Sequence, residues 1–345
     1  MPEYYQIRVG GHLDREWSAW FDGLTLTHDP DGCTTLAGQV ADQAALYGLI
    51  GKARDLGLRL ILVALVAPDE GRREEPMRAR RPTHRIAVSD GELSAYVAGS
   101  GPALVFLHGN AGRWQHWGLQ LHALSRNYRC IAFDFRGYGA SSPLRTPNSL
   151  SMMADDTHTL CQALGVTRAT VVGHSMGGGV AQALALRHPH LVAGLVLLSP
   201  QAVDVVPARP PELTRAMLRP LLMEGFSPGF RQRQPGLVAR LVAEQLETRL
   251  ETLRNVTFDD LPMDPTAIRA PALVLAGGSD ARTPAGETRH LAVQLPNGVY
   301  LELPAAGHNL PSEASAAVST AIEQFVRDAT VSESAPGAQR GGTLM

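Results

Sequence analysis

Residues Ala169-Thr170-Val171-Val172-Gly173-His174-Ser175-Met176-Gly177-Gly178-Gly179-Val180 decide how this chain is read. The apolar stretch 169–172 has the composition of a buried strand, and 180–186 opens a helix. Between them, Gly-His-Ser-Met-Gly sets a serine in a strand-turn-helix context. A serine in so tight a turn projects its hydroxyl outward, and Gly173 and Gly177 flank it because side chains there would clash. The N-terminus of the following helix favours negative charge that develops beside the serine. A nucleophilic serine is therefore expected at position 175.

Outward from this turn the same alternation continues. Buried strands are expected at 103–107, 129–135, 169–173, 193–198, 272–276 and 299–303, with helices near 114–124, 151–164, 176–187, 283–295 and 312–328. In the last of these, Ala314, Ala317, Val318, Ala321, Ile322 and Phe325 mark one helical face. This pattern predicts an α/β domain over 83–329 with a mostly parallel sheet. Residues 201–268 break the alternation with helical segments and prolines, and read as an insertion over one end of the sheet. Upstream, 68–82 is charged and proline-bounded and reads as a linker, and 330–345 reads as a disordered tail. Before the linker, 1–67 follows the order βαββαβ, which resembles a small ferredoxin-like α+β domain. Its Trp17 and Trp20 are expected to fill the small core, and its role is read as dimerisation or regulation.

Four further motifs stand at strand ends of the larger domain: Leu107-His108-Gly109-Asn110; Asp134-Phe135-Arg136-Gly137-Tyr138-Gly139-Ala140-Ser141; Gly277-Gly278-Ser279-Asp280; and Ala306-Gly307-His308-Asn309. Together with the serine turn they make residues 84–328 resemble the α/β-hydrolase fold superfamily, whose order is serine, acid, histidine. The resemblance implies Ser175 as nucleophile, Asp280 as triad acid, His308 as general base, and 201–268 as a helical lid. The roles follow from chemistry. Serine is a poor nucleophile at its own pKa, so a neutral imidazole must take its proton while a carboxylate fixes the ring's tautomer. The oxyanion needs preorganised donors, for which the backbone N–H groups of Asn110 and Met176 are the candidates.

The remaining histidines and acids get plainer assignments. His174 is read as turned inward, His108 as bracing its own loop, and Asp134 as holding the glycine-rich turn; Asp204 is a weaker alternative to Asp280. Arg113, Trp114, His116 and Trp117 follow the oxyanion loop. They are candidates for the pocket mouth, with core packing an equal reading for the two tryptophans. Leu213, Met217, Leu221, Leu222, Met223, Phe226 and Phe230 offer the lid an apolar cover, accompanied by Arg209, Arg215, Arg219, Arg231 and Arg233.

Composition narrows the chemistry further. The 345 residues are 44% hydrophobic and 19% charged, enough apolar matter for a large core. A net charge of −2 gives no strong field toward nucleic acid or an anionic membrane. Every basic residue is arginine except Lys52, and no phosphate-loop, Schiff-base or kinase motif surrounds it. Cys33, Cys130 and Cys161 form no CxxC pair, so neither a disulfide framework nor a zinc knuckle is indicated. No signal-peptide core or membrane span is read, and a cytoplasmic location is expected. Serine at 175 disfavours the dehalogenases and epoxide hydrolases of this fold, which use aspartate there. The expectation is a hydrolase of small or medium carboxylic esters or lactones, acting through an acyl-enzyme on a small-molecule substrate. It would need no cofactor and no metal, and a homodimer would form through the small domain. A carbon–carbon bond hydrolase or lyase, an acyltransferase, and a non-catalytic ligand receptor on the same scaffold are the alternatives.

Overall fold

The alternation of Tyr5, Ile7 and Val9 with polar neighbours becomes strand β1 (Glu3–Gly10), with all three of those side chains buried. The computed structural model describes residues 3–14, 17–28, 32–66, 81–145, 148–201, 214–257 and 264–334. The chain divides into two compact units, Met1–Pro76 and Met77–Met345.

In the first unit β1 is followed by α1 (Trp17–Trp20), β2 (Thr25–His28), β3 (Cys33–Val40), α2 (Gln43–Asp55) and β4 (Leu60–Val66). The strands pair antiparallel in the order 2-3-1-4. Asp42 caps α2, its Oδ1 accepting the Ala45 N–H at 2.8 Å. Lys52 reaches from α2 to Asp22 at 2.6 Å. The tryptophans do not fill the core. Helix α1 is a single turn, and the chain bends at Asp22-Gly23 so that Phe21 and Leu24 turn inward instead; Trp17 packs on the cluster's side and Trp20 is 53% exposed.

The second unit opens with a hairpin absent from the expected strands, β5 (His84–Val88) and β6 (Gly91–Ala98). There follow β7 (Ala103–Leu107), a 3-10 turn (Trp114–Trp117), α3 (Gly118–Leu124), β8 (Arg129–Asp134), the two-residue β9 (Asn148–Ser149), α4 (Leu150–Ala163), β10 (Ala169–His174), α5 (Met176–Arg187) and β11 (Val192–Leu198). The insertion supplies α6 (Arg215–Glu224), α7 (Pro228–Arg233), α8 (Pro235–Leu246), α9 (Leu250–Arg254) and β12 (Val256–Thr257), which pairs with β9. The unit closes with β13 (Ala272–Gly277), α10 (Ala285–Gln294), β14 (Gly298–Leu303), α11 (Leu310–Glu313) and α12 (Ser315–Ser334). The last helical stretch is broken at Ala314 and runs through Ser334, so it takes in the start of the segment expected to be tail.

The eight-stranded sheet has the order 14-13-11-10-7-8-6-5. It is parallel from β14 to β8, while β6 pairs antiparallel with both β8 and β5. Continuous apolar runs such as Leu104–Leu107 and Leu195–Leu198 are buried on both sides, as a sheet covered by helices requires. One core lies toward α4, α5 and the insertion, the other toward α3 and α12. Strand β10 sits in the middle, and its C-terminal end carries Ser175.

Candidate active site

Ser175 has φ 53° and ψ −118°, a left-handed conformation that is costly for an L-residue. The surroundings over-determine it. Its N–H donates to the Leu198 carbonyl at 3.0 Å, and its own carbonyl accepts from Gly178 at 2.9 Å and Gln201 at 3.2 Å. The flanking glycines are required by close approach: a Cβ on Gly173 would overlap the Gly177 carbonyl, and one on Gly177 the Leu107 carbonyl. Any side chain at either position would push β10, α5 or β7 apart.

The sequence-distant partners come together at this turn. His308 Nε2 lies 2.9 Å from Ser175 Oγ, and His308 Nδ1 lies 2.9 Å from Asp280 Oδ2. Facing a carboxylate, Nδ1 carries the proton, which leaves Nε2 free to accept from the serine. Burial would raise the Asp280 carboxyl, but hydrogen bonds from His308 and Thr283 outweigh it and hold Asp280 well below the usual carboxylate range. Its Oδ1 accepts the N–H groups of Arg282 at 2.8 Å and Thr283 at 3.0 Å, and Oδ2 accepts the Thr283 hydroxyl at 2.6 Å. Burial lowers the His308 pKa, with the Asp280 contact opposing it, so the ring is held neutral. A neutral imidazole between a hydroxyl and a carboxylate can take the hydroxyl's proton.

Asn110 lies on the loop after β7, and Met176 is the first residue of α5. Neither backbone N–H has an acceptor among the described residues. The loop is held by Ala111 at φ 60°, whose N–H donates to Asn110 Oδ1 at 3.0 Å.

The insertion is stitched to both loops of the relay. Arg282, next but one after Asp280, donates to the Leu221 carbonyl of α6. Asn309, next after His308, donates to the Gly225 carbonyl through both its N–H (3.0 Å) and its side chain (2.9 Å). Glu313 accepts the Ser227 N–H at 3.1 Å and the Gly307 N–H at 3.1 Å, joining the insertion to the histidine loop through one carboxylate.

Other sequence candidates fall into supporting places. His174 Nε2 donates to the His308 carbonyl at 2.8 Å, and burial lowers its pKa to about 3. His108 donates from Nδ1 to the Gly109 carbonyl and accepts the Phe135 N–H at Nε2, with burial lowering its pKa to about 4. Asp134 accepts the N–H groups of Trp114 and Ala140, while burial pushes its pKa up to about 6. The pocket-mouth reading of Trp114 and Trp117 is corrected. They are 0% and 1% exposed, with Trp114 stacked on Tyr96 and Trp117 tilted against Phe106. A 3-10 turn eclipses residues three apart, so both indoles point to the same side, into the sheet. Arg113 instead joins the insertion, 2.9 Å from Glu247. Leu222, Phe226 and Phe230 are buried in the insertion, whereas Met217 and Leu221 face outward. Asp204, Arg209 and Leu213 lie outside the described residues. Thr283 and Glu313 escaped the sequence reading, since their tasks depend on what packs beside them. Among the described residues no group of three or more His, Cys, Asp or Glu side chains could hold a metal ion. No described helix is long and apolar enough to cross a membrane.

The parallel sheet, the strained serine at the end of its central strand and the hydrogen-bonded Ser–His–Asp relay define a class of protein, and comparison with known proteins gives the same class. Residues 102–263 match the alpha/beta hydrolase fold family, and 255–337 match a family described as TAP-like protein. Residues 4–64 match a domain family of unknown function, DUF8691. A RutD protein of Caulobacter sp. (strain K31), named as a carbamate hydrolase, is 31% identical over 68% of this chain and 94% of its own length. The chain belongs to the α/β-hydrolase fold family. Among solved structures, a thermophilic esterase from Thermogutta terrifontis (malate bound) superposes with a TM-score of 0.62 at 26% identity, covering 73% of this chain and 99% of that one. The enol-lactonase from Burkholderia xenovorans LB400 gives a TM-score of 0.62 at 25% identity, covering 71% of this chain and 100% of that one.

Proposed function

We propose that this α/β hydrolase cleaves small or medium carboxylic esters or lactones through an acyl-enzyme formed on Ser175. The observation that carries the reading is the unbroken relay Ser175–His308–Asp280, 2.9 Å at each step. His308 Nε2 takes the Ser175 proton as Oγ attacks the substrate carbonyl carbon, and the carbonyl electron pair moves onto oxygen, where the N–H groups of Asn110 and Met176 receive it. On collapse the pair returns, the alkoxide leaves, and His308 protonates it; water then repeats the sequence on the acyl group and frees Ser175. The solved structures named as an esterase and an enol-lactonase support this substrate class.

The test is a panel of p-nitrophenyl esters and lactones on the wild type and Ser175→Ala, with a fluorophosphonate probe for the serine. Turnover and labelling lost together in Ser175→Ala are expected. Equal background rates in both proteins, with no labelling of Ser175, overturn the reading. A cytoplasmic location belongs to the same proposal, supported by the free, buried thiols of Cys130 and Cys161. The small unit is read as a self-association module, since edge strand β4 presents Leu60, Ile61 and Leu62 at 43%, 39% and 45% exposure. A full-length chain that sediments as a monomer at high concentration overturns that role.

A further inference from the structure

We propose that Tyr138 is a positioning residue for the oxyanion hole, its hydroxyl holding in register the two residues whose backbone N–H groups receive the developing charge. This deepens the acyl-transfer reading above and rests on it. The glycine-rich segment 134–141 lies next to the serine turn, yet none of its side chains belongs to the Ser–His–Asp relay. What it builds is a closed turn. The Asp134 carboxylate accepts the Ala140 N–H at 2.9 Å, the Ser141 hydroxyl donates to the Asp134 carbonyl at 2.6 Å, and the Tyr138 N–H donates to the Phe135 carbonyl at 3.0 Å. The buried Tyr138 ring packs edge-on against His108 with centroids 5.0 Å apart.

From that seat the phenol O–H donates to Asn110 Oδ1 at 2.7 Å, and the same oxygen lies 3.8 Å from Met176 Sδ. One hydroxyl therefore touches both residues of the oxyanion hole. The Asn110 side chain is pinned twice, by Tyr138 and by the Ala111 N–H at 3.0 Å. Pinning matters here because Ala111 sits at φ 60°, a conformation an alanine leaves unless the surroundings hold it. Relaxation of that residue would shift the chain at Asn110 and carry the Asn110 N–H out of place with it. An oxyanion hole works because its donors are aligned before the charge appears, and a displacement near 1 Å costs on the order of a hundredfold in rate.

Tyr138→Phe keeps the ring and deletes only the hydroxyl. On an activated p-nitrophenyl ester, kcat is expected to fall about tenfold while KM stays within about twofold, because the donors act on the transition state and not on substrate binding. Asn110→Ala removes the hydroxyl's acceptor and is expected to lower kcat by a similar factor, with no further loss in the double variant. A kcat within twofold of wild type in Tyr138→Phe, or a loss that appears in KM at unchanged kcat, overturns the proposal while leaving the hydrolase reading intact. Additive losses in the double variant overturn it as well. If Tyr138→Phe fails to fold, an unchanged kcat in Asn110→Ala does the same. A wild type without Ser175-dependent turnover overturns the hydrolase reading and this proposal with it.

Discussion

Replacing Asp280 by asparagine tests the relay at its least redundant point. Oδ1 of Asp280 accepts two backbone N–H groups, from Arg282 at 2.8 Å and Thr283 at 3.0 Å, so the single oxygen of an asparagine is drawn to that side. Its NH2 then occupies the place of Oδ2, 2.9 Å from His308 Nδ1. A donor there drives the imidazole to accept at Nδ1 and to carry its proton on Nε2, where it faces Ser175 and cannot act as base. The Thr283 hydroxyl, which now donates to Oδ2, can turn and accept from the amide, so the fold loses little. The wrong tautomer costs about ten-thousandfold in kcat, or roughly 5 kcal/mol of transition-state stabilisation. The assay is steady-state hydrolysis of the best p-nitrophenyl ester by Asp280→Asn, with a thermal melt beside it to show the fold retained. A folded variant that keeps a tenth or more of wild-type kcat refutes the argument and directs attention to Asp204.

Four further outcomes follow from the same structure. Burial holds His308 below the ordinary histidine value, so kcat/KM should stay level from alkaline pH down to about 6.5 and decline only below it; a profile already falling above that pH would falsify the neutral-base assignment. His108 and His174 are held neutral by burial, near 4 and 3. The unfolded chain therefore binds more protons than the native one below about pH 6.5, and stability should be whole above that pH and drop as it falls, by about 1.4 kcal/mol per pH unit for each ring. Urea midpoints that do not move between pH 7.5 and 5 contradict this. Glu313→Gln removes a charge that supports the His308 proton and weakens the bridge between Ser227 and Gly307, so the acid limb should move lower and kcat should fall several-fold; an unmoved pH profile assigns Glu313 to packing alone. Trp117→Ala opens a cavity beside Phe106 and should cost about 3 to 5 kcal/mol in urea unfolding with KM unchanged.

What could be read from the sequence is what is local. The turn around Ser175 was legible because Gly173 and Gly177 are demanded by their immediate neighbours, and Asp42 announced its helix through a contact three residues away. Asp280 and His308 were legible only through the order of motifs, since they stand 28 positions apart and His308 stands 133 positions from Ser175. Glu313 was invisible because its partner Ser227 is 86 residues upstream and nothing near either residue marks the pairing. Tyr138 was quoted as part of a motif, but its hydroxyl gains meaning only when β8 and β7 lie side by side and bring Asn110 within reach. The hairpin of β5 and β6 carried a signal that went unused, the Asp90-Gly91 pair between two short apolar runs. Trp114 and Trp117 were ambiguous because aromatic side chains three apart suit a pocket rim as well as a core, and only the sheet beneath them decides.

The backbone of Ser175 has a consequence for evolution in the laboratory. A residue held at φ 53° and ψ −118° stores on the order of 1 to 3 kcal/mol, and a glycine at the same place would store almost none. The inactive Ser175→Gly protein should therefore outlast its parent on heating, while Ser175→Ala, which keeps the Cβ, should not gain in the same way. Screens for thermal tolerance that do not also score turnover would drift toward a robust protein with no chemistry, because in this chain the proposed nucleophile is also a site of stored strain.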